Sequence, residues 1–223
     1  MSMPGPSLLP FPTLCLVTDR RLSQGTSLPI QVEAALKGGV NMIQLREKDL
    51  SAGELLALAT GIRQVTLEHK AIFLVNDRVD VALAASADGV QLGEEALPVK
   101  AVRTIAGHRL LIGRSVHSLD GAREAEAQGA DFVIVGTIYP GGSHPGAISA
   151  GLELLAQVRQ SVHIPFLAIG GVNSGNVAQV MARGAAGAAV ISAILVSKDP
   201  SQAARELKEA MVAAVKPSAL PAL

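Results

Sequence analysis

Eight short apolar runs recur along the chain, at 14–19, 40–46, 71–77, 88–93, 110–115, 131–136, 165–171 and 187–192. Each is continuously apolar rather than alternating, the pattern of parallel strands buried on both faces. Between them lie segments with apolar residues at helical spacing, such as 51–69 and 118–130, with Ser51 and Ser118 placed to cap their N-termini. Eight strand–helix units within about 200 residues predict an α/β fold of one closed (β/α)8 barrel, the TIM barrel. An open doubly wound sheet is the competing arrangement, but no GxGxxG follows the first run. The expected organisation is a flexible leader over 1–12, the barrel over 13–215 and a flexible tail over 216–223.

Composition narrows the function. Apolar residues make up 49% of the chain and aromatics only 2%, so aliphatic side chains must fill the core. Lys and Arg number 19, as do Asp and Glu, and no basic block stands out, which argues against nucleic-acid or membrane-surface partners. The run 185–196 is too short to span a bilayer. Cys15 is the single cysteine and has no internal partner, which suits a reducing, cytoplasmic setting. It reads as core packing, and no Cys/His cluster has zinc spacing.

In such a barrel the chemistry sits at the C-terminal ends of the strands. Period-two alternation puts Gln44, Arg46 and Lys48 on one side of the second strand, and Leu45 and Glu47 on the other. An amide, a guanidinium and an ammonium side by side suit an anionic ligand, unless Arg46 simply pairs with Glu47 or Asp49. Asn76 ends the third run and can hydrogen-bond a ligand. Asp77 can hold a hard cation or cap the helix that follows. Ser115 and His117 share parity on the fifth strand, so a proton-carrying imidazole is expected at the rim unless it is a structural hydrogen-bonder. Gly170 and Gly171 follow the seventh strand, and Ile191 and Ser192 open a turn after the eighth. These are the two places where this fold holds phosphate. After the sixth strand, residues 139–146 read YPGGSHPG, a loop whose Gly141 and Ser143 are candidate ligand contacts.

Taken in order, LVTD, QLREK, VNDRVDVA, ADGVQLG, GRSVHS, GADFVIVGTIYP and AIGGV with its following Asn resemble the thiamine phosphate synthase/TenI superfamily over roughly residues 14–210. The resemblance implies two chemistries. Synthase members join a pyrimidine pyrophosphate to a thiazole phosphate with magnesium. Carried over, Gln44 and Ser115 would face the pyrimidine. Arg46, Lys48 and Asn76 would hold pyrophosphate, Asp77 would bind magnesium, and Gly171, Ile191 and Ser192 would hold the thiazole phosphate.

The chain departs from that pattern in two places. Ala96 stands where the synthases carry a second magnesium-binding aspartate, with Glu94 and Glu95 beside it. Gly141, Gly142, Ser143 and His144 stand where they carry Thr-x-Thr-Lys. A departing pyrophosphate needs cations where its charge develops. The expectation is therefore the TenI branch: a thiazole tautomerase, an isomerase with His117 as acid/base, no cofactor, and a thiazole phosphate as small-molecule partner. A magnesium-dependent synthase and a catalytically silent thiazole-phosphate-binding or regulatory protein are the alternatives. A homodimer is also expected as an option.

Overall fold

The structure is a computed structural model that describes residues 9–23, 25–140 and 149–215. Eight strands form one closed, all-parallel barrel in chain order. They are β1 (Thr13–Val17), β2 (Met42–Leu45), β3 (Ile72–Asn76), β4 (Gly89–Leu92), β5 (Leu111–Val116), β6 (Phe132–Val135), β7 (Phe166–Ile169) and β8 (Gly187–Val190). Each falls within one of the eight apolar runs to within a residue or so, and β8 closes on β1 with Cys15 opposite Ala189. This is the (β/α)8 TIM barrel that the strand count predicts.

The helices are α1 (Leu28–Lys37), α2 (Ala52–Glu68), α3 (Val79–Ala84), α4 (Val99–Ala106), α5 (Leu119–Ala127), α6 (Gly151–Ser161), α7 (Val177–Ala182), the single-turn α8 (Ser192–Leu195) and α9 (Pro200–Val215). Two expected caps are present. Ser51 and Glu54 form a reciprocal capping box on α2, and Ser118 accepts the Gly121 N–H at the start of α5. None of the helices among the described residues is long and apolar enough to cross a membrane.

Two apolar layers follow from strand alternation. Cys15, Val17, Met42, Leu74, Phe132, Ile134, Leu167 and Ala189 fill the barrel interior, and the opposite strand faces pack under the helices. Leu9 joins the interior cluster and Asn41 donates to the Pro12 carbonyl, so the chain is anchored ahead of Thr13. The interior is close-fitting where Phe132 enters it. A Cβ on Gly113 would lie 2.3 Å from the Phe132 ring, so glycine makes room for one of the four phenylalanines.

A repeated device ties the barrel base. Asn41, Asp88 and Asp131 each precede an even-numbered strand and accept an N–H from the odd-numbered strand before it: Leu14 at 2.8 Å, Phe73 at 2.7 Å and Ile112 at 2.7 Å. Arg63 from α2 and Arg103 from α4 then pair with Asp88 and Asp131 at 2.8 and 2.7 Å. The bottom of the barrel is thus braced by polar groups that leave the top free for chemistry.

Candidate active site

At the C-terminal rim the strand ends enclose a pocket of about 630 Å³. From β2 comes Gln44, with Arg46 and Lys48 just after it, and from β3 comes Asn76, with Asp77 just after it. The loop after β4 gives Glu94, Glu95 and Ala96, and β5 gives Ser115, with His117 just after it. Gly170 and Gly171 enter after β7, and Ile191 and Ser192 after β8. Every sequence-predicted site residue within the described segments therefore lines one cavity. Gly141 and Ser143 lie outside them.

Hydrogen bonds fix the floor. Gln44 is buried and donates from Nε2 to Asn76 Oδ1 at 2.8 Å. Asn76 Nδ2 in turn donates to Asp77 Oδ2 at 2.7 Å, and the Gly93 N–H donates to Asp77 Oδ1 at 2.7 Å. Asp77 adopts the left-handed conformation with φ +58°, one that Asp tolerates better than most residues. It does not cap α3, whose N-cap position is Arg78 without a side-chain bond. The capping alternative is therefore set aside: Asp77 is turned back across the barrel rim towards β4, away from the helix.

One polar residue was missed by the sequence reading. Gln91 on β4 sits opposite Asn76, is 1% exposed and donates from Nε2 to Ser115 Oγ at 3.1 Å. Its parity was available: Gln91 lies two residues before Gly93, on the same face, and an amide inside an apolar barrel needs a partner.

The cations are free of their sequence neighbours. Glu47 has a side chain only 2% exposed and accepts from Thr18 Oγ1 at 2.7 Å and from Arg20 Nη1 at 3.2 Å. Asp49 takes the Arg20 fork at 2.6 and 2.7 Å. That pairing holds the Asp49 carboxyl below the usual carboxylate range. Arg46 therefore does not pair with Glu47 or Asp49, and among the described residues neither Arg46 nor Lys48 has an ion-pair partner. Across the mouth, His117 Nε2 lies 3.4 Å from Glu94 Oε1.

The opposite end of the pocket is built from small groups. Gly170 and Gly171 have φ of +99° and +62°. A Cβ on Gly171 would come within 2.7 Å of the Pro140 carbonyl oxygen, so the backbone itself forms this wall. Ser192 completes the corner at the start of α8. Val17, Ile134, Ile169 and Ala189 add apolar surface from the barrel interior to the same pocket.

The donor set suits magnesium, which takes one or two carboxylates together with substrate oxygens and water. Asp77 is held in place by two donors, and Glu94 and Glu95 line the same cavity. Among the described residues no three acidic, histidine or cysteine side chains form a ready-made cation cluster, so such an ion would depend on ligand oxygens.

Comparison with known proteins corrects one expectation. A protein of Geobacter sulfurreducens is 47% identical over 196 residues, 87% of this chain and 92% of its own length. The thiamine-phosphate synthase of Methanospirillum hungatei is 44% identical over 200 residues, covering 89% of this chain and 97% of that one. The solved thiamine phosphate pyrophosphorylase of Pyrococcus furiosus superposes with a TM-score of 0.85 at 41% identity, over 92% of this chain and 97% of that one. Likeness of this extent to synthases overturns the tautomerase, or isomerase, expectation. That expectation let the losses at 96 and 141–144 outweigh what the pocket retains: Arg46, Lys48, Asp77 and the adjacent Glu94 and Glu95. The family model described as thiamine monophosphate synthase matches residues 14–194, and the chain belongs to that family.

Proposed function

We propose that the protein is a thiamine-phosphate synthase, a transferase that joins a pyrimidine pyrophosphate to a thiazole phosphate. The carrying observation is a pocket with two anion-suited ends. Among the described residues Arg46 and Lys48 stand without an ion-pair partner at one, Gly170, Gly171 and Ser192 form the other, and apolar side chains line the same cavity.

In the reaction the bond from the pyrimidine methylene carbon to the pyrophosphate oxygen breaks, and its electron pair leaves with pyrophosphate. The thiazole nitrogen lone pair forms the new bond to that carbon, so no proton needs to move at the reacting centre. Arg46 and Lys48 bind the pyrophosphate and meet its growing charge, Arg46 by a two-pronged contact and Lys48 as a point charge. Asn76 adds a hydrogen bond from the same side.

Gln44 and Ser115, braced by Asn76 and Gln91, face the pyrimidine. Backbone N–H groups at Gly171 and Ile191, with the Ser192 hydroxyl, take the thiazole phosphate. The apolar lining excludes water, which would otherwise compete for the electrophilic carbon. Asp77, helped by Glu94 or Glu95, would hold magnesium, which when bound supplies further neutralisation of the leaving pyrophosphate.

The test is direct. Purified protein is given the pyrimidine pyrophosphate, the thiazole phosphate and magnesium, and ³¹P NMR follows free pyrophosphate and thiamine phosphate together. Both should appear in equal amounts. Binding of both substrates without either product would refute the reading.

A further inference from the structure

We infer that Arg20 is a positioning residue that keeps Arg46 and Lys48 available for an anionic ligand, by sequestering the carboxylates that flank them. The inference rests on the assignment of Arg46 and Lys48 to the pyrophosphate end of the pocket.

The segment from 46 to 49 reads Arg-Glu-Lys-Asp, two cations interleaved with two anions. β2 ends at Leu45, so regular strand alternation no longer fixes these four side chains, and each cation has a carboxylate one residue away. The fold engages those carboxylates from outside the segment. Arg20 lies in the single 3-10 turn Arg20–Leu22 after β1 and engages both acids at once.

Its guanidinium forks onto Asp49, Nη1 to Oδ1 at 2.6 Å and Nη2 to Oδ2 at 2.7 Å, while Nη1 also reaches Glu47 Oε2 at 3.2 Å. The Arg20 backbone N–H sits 3.1 Å from both Glu47 oxygens. Thr18 completes the link: its hydroxyl donates to Glu47 at 2.7 Å and accepts the Arg46 N–H at 2.9 Å. Next door, Arg21 takes Asp19 in the same way, with Nε and Nη2 each at 2.8 Å.

Three acids near the cationic end are thus engaged by two arginines that do not line the pocket, and Arg46 and Lys48 remain to line it. An acid freed beside them would compete with a bound diphosphate for the same donors.

The test uses binding of inorganic pyrophosphate, in the presence of magnesium, by calorimetry on the full chain. Arg20→Ala should weaken pyrophosphate about tenfold and leave thiazole phosphate affinity within about twofold. Arg20→Ala combined with Asp49→Asn should recover most of the loss, because the freed acid is gone. A purely structural brace predicts the opposite, since the second change removes another contact.

Wild-type affinity in Arg20→Ala, or a double variant no better than the single, overturns the inference. Should Arg20→Ala fail to fold, Arg20→Lys keeps the charge but not the fork. Weaker pyrophosphate binding in Arg20→Lys, recovered by Asp49→Asn, supports the inference, and wild-type affinity overturns it. A protein that binds pyrophosphate but makes no thiamine phosphate sinks the synthase reading and leaves this one standing. One that makes thiamine phosphate while Arg20→Ala binds pyrophosphate normally does the reverse. No measurable pyrophosphate affinity in the wild type overturns both.

Discussion

Asp77 Oδ1 accepts the Gly93 N–H at 2.7 Å, so the loop after β4 hangs from the residue that follows β3. That bond sets where Glu94 and Glu95 stand relative to Asp77, and it links the carboxylates at the pocket rim through backbone rather than through chance side-chain proximity. A Cβ on Gly93 would touch Asp77 Oδ1 at 3.4 Å, an ordinary contact, so the bond and not steric fit is what holds the loop.

Asp77→Asn separates charge from shape. Asn tolerates the left-handed backbone at this position and its oxygen can still accept the Gly93 N–H, but its amide nitrogen then faces the Asn76 Nδ2 donor, so the fold should persist with a thermal midpoint lowered by a few degrees. Condensation should fall by ~100-fold or more, since the carboxylate proposed to hold the magnesium that neutralises the departing pyrophosphate is lost. Unchanged turnover at saturating magnesium would remove Asp77 from the site.

Ser192→Ala addresses the other end of the pocket. Loss of one hydrogen bond to a charged ligand should raise KM for the thiazole phosphate about tenfold, with kcat within about twofold. Steady-state kinetics with the pyrimidine substrate held saturating gives both numbers. A kcat effect larger than the KM effect would place Ser192 nearer the reacting bond.

Gly171→Ala should damage both fold and site. The residue sits at φ +62° and its added methyl would meet the Pro140 oxygen at 2.7 Å. Strain and collision together should destabilise by ~1–3 kcal/mol, measured by urea unfolding, and phosphate affinity should fall with it. A variant of full stability would mean that this wall relaxes freely.

Cys15 gives a pH prediction. Burial inside the barrel pushes its thiol from 9.0 up to about 12. Between those values the unfolded chain has lost the proton and the folded one keeps it, so the unfolded state binds fewer protons and stability falls as pH rises. The slope from this group approaches ~1.4 kcal/mol per pH unit above about pH 9. Cys15→Ala should be less stable at neutral pH but lose less on going to pH 11, which chemical denaturation at several pH values would show. Equal slopes for both proteins would contradict the assignment.

Parity explains why so much of the pocket was legible. Once β2 and β5 are read as strands, period two alone puts Gln44, Arg46 and Lys48 together and Ser115 with His117, and the pocket holds all five. Gly170 and Gly171 were legible for a similar reason, since paired glycines after a strand mark backbone that a side chain would obstruct. Asp77 was ambiguous because capping a helix and bracing a loop both call for a short carboxylate. Only the position of Gly93, sixteen residues further on, separates the two. The branch was misjudged because motif residues were counted one by one, whereas likeness to synthases runs over nearly the whole chain.

The sequence by itself determined the barrel, because eight buried strands with helical connections have few ways to close, and it determined which side chains face the lumen, because alternation is a property of the extended backbone. Tertiary structure alone decided which charges are spoken for. Arg20 reaches Glu47 and Asp49 across twenty-seven and twenty-nine residues, and Gln91 meets Ser115 across twenty-four. Ion pairing and hydrogen bonding act over a few ångströms of space, and adjacency in the chain fixes that distance only for the nearest neighbours. Among the described residues the fold leaves Arg46 and Lys48, each with an acid at its side in the sequence, as cations of the pocket without an ion-pair partner.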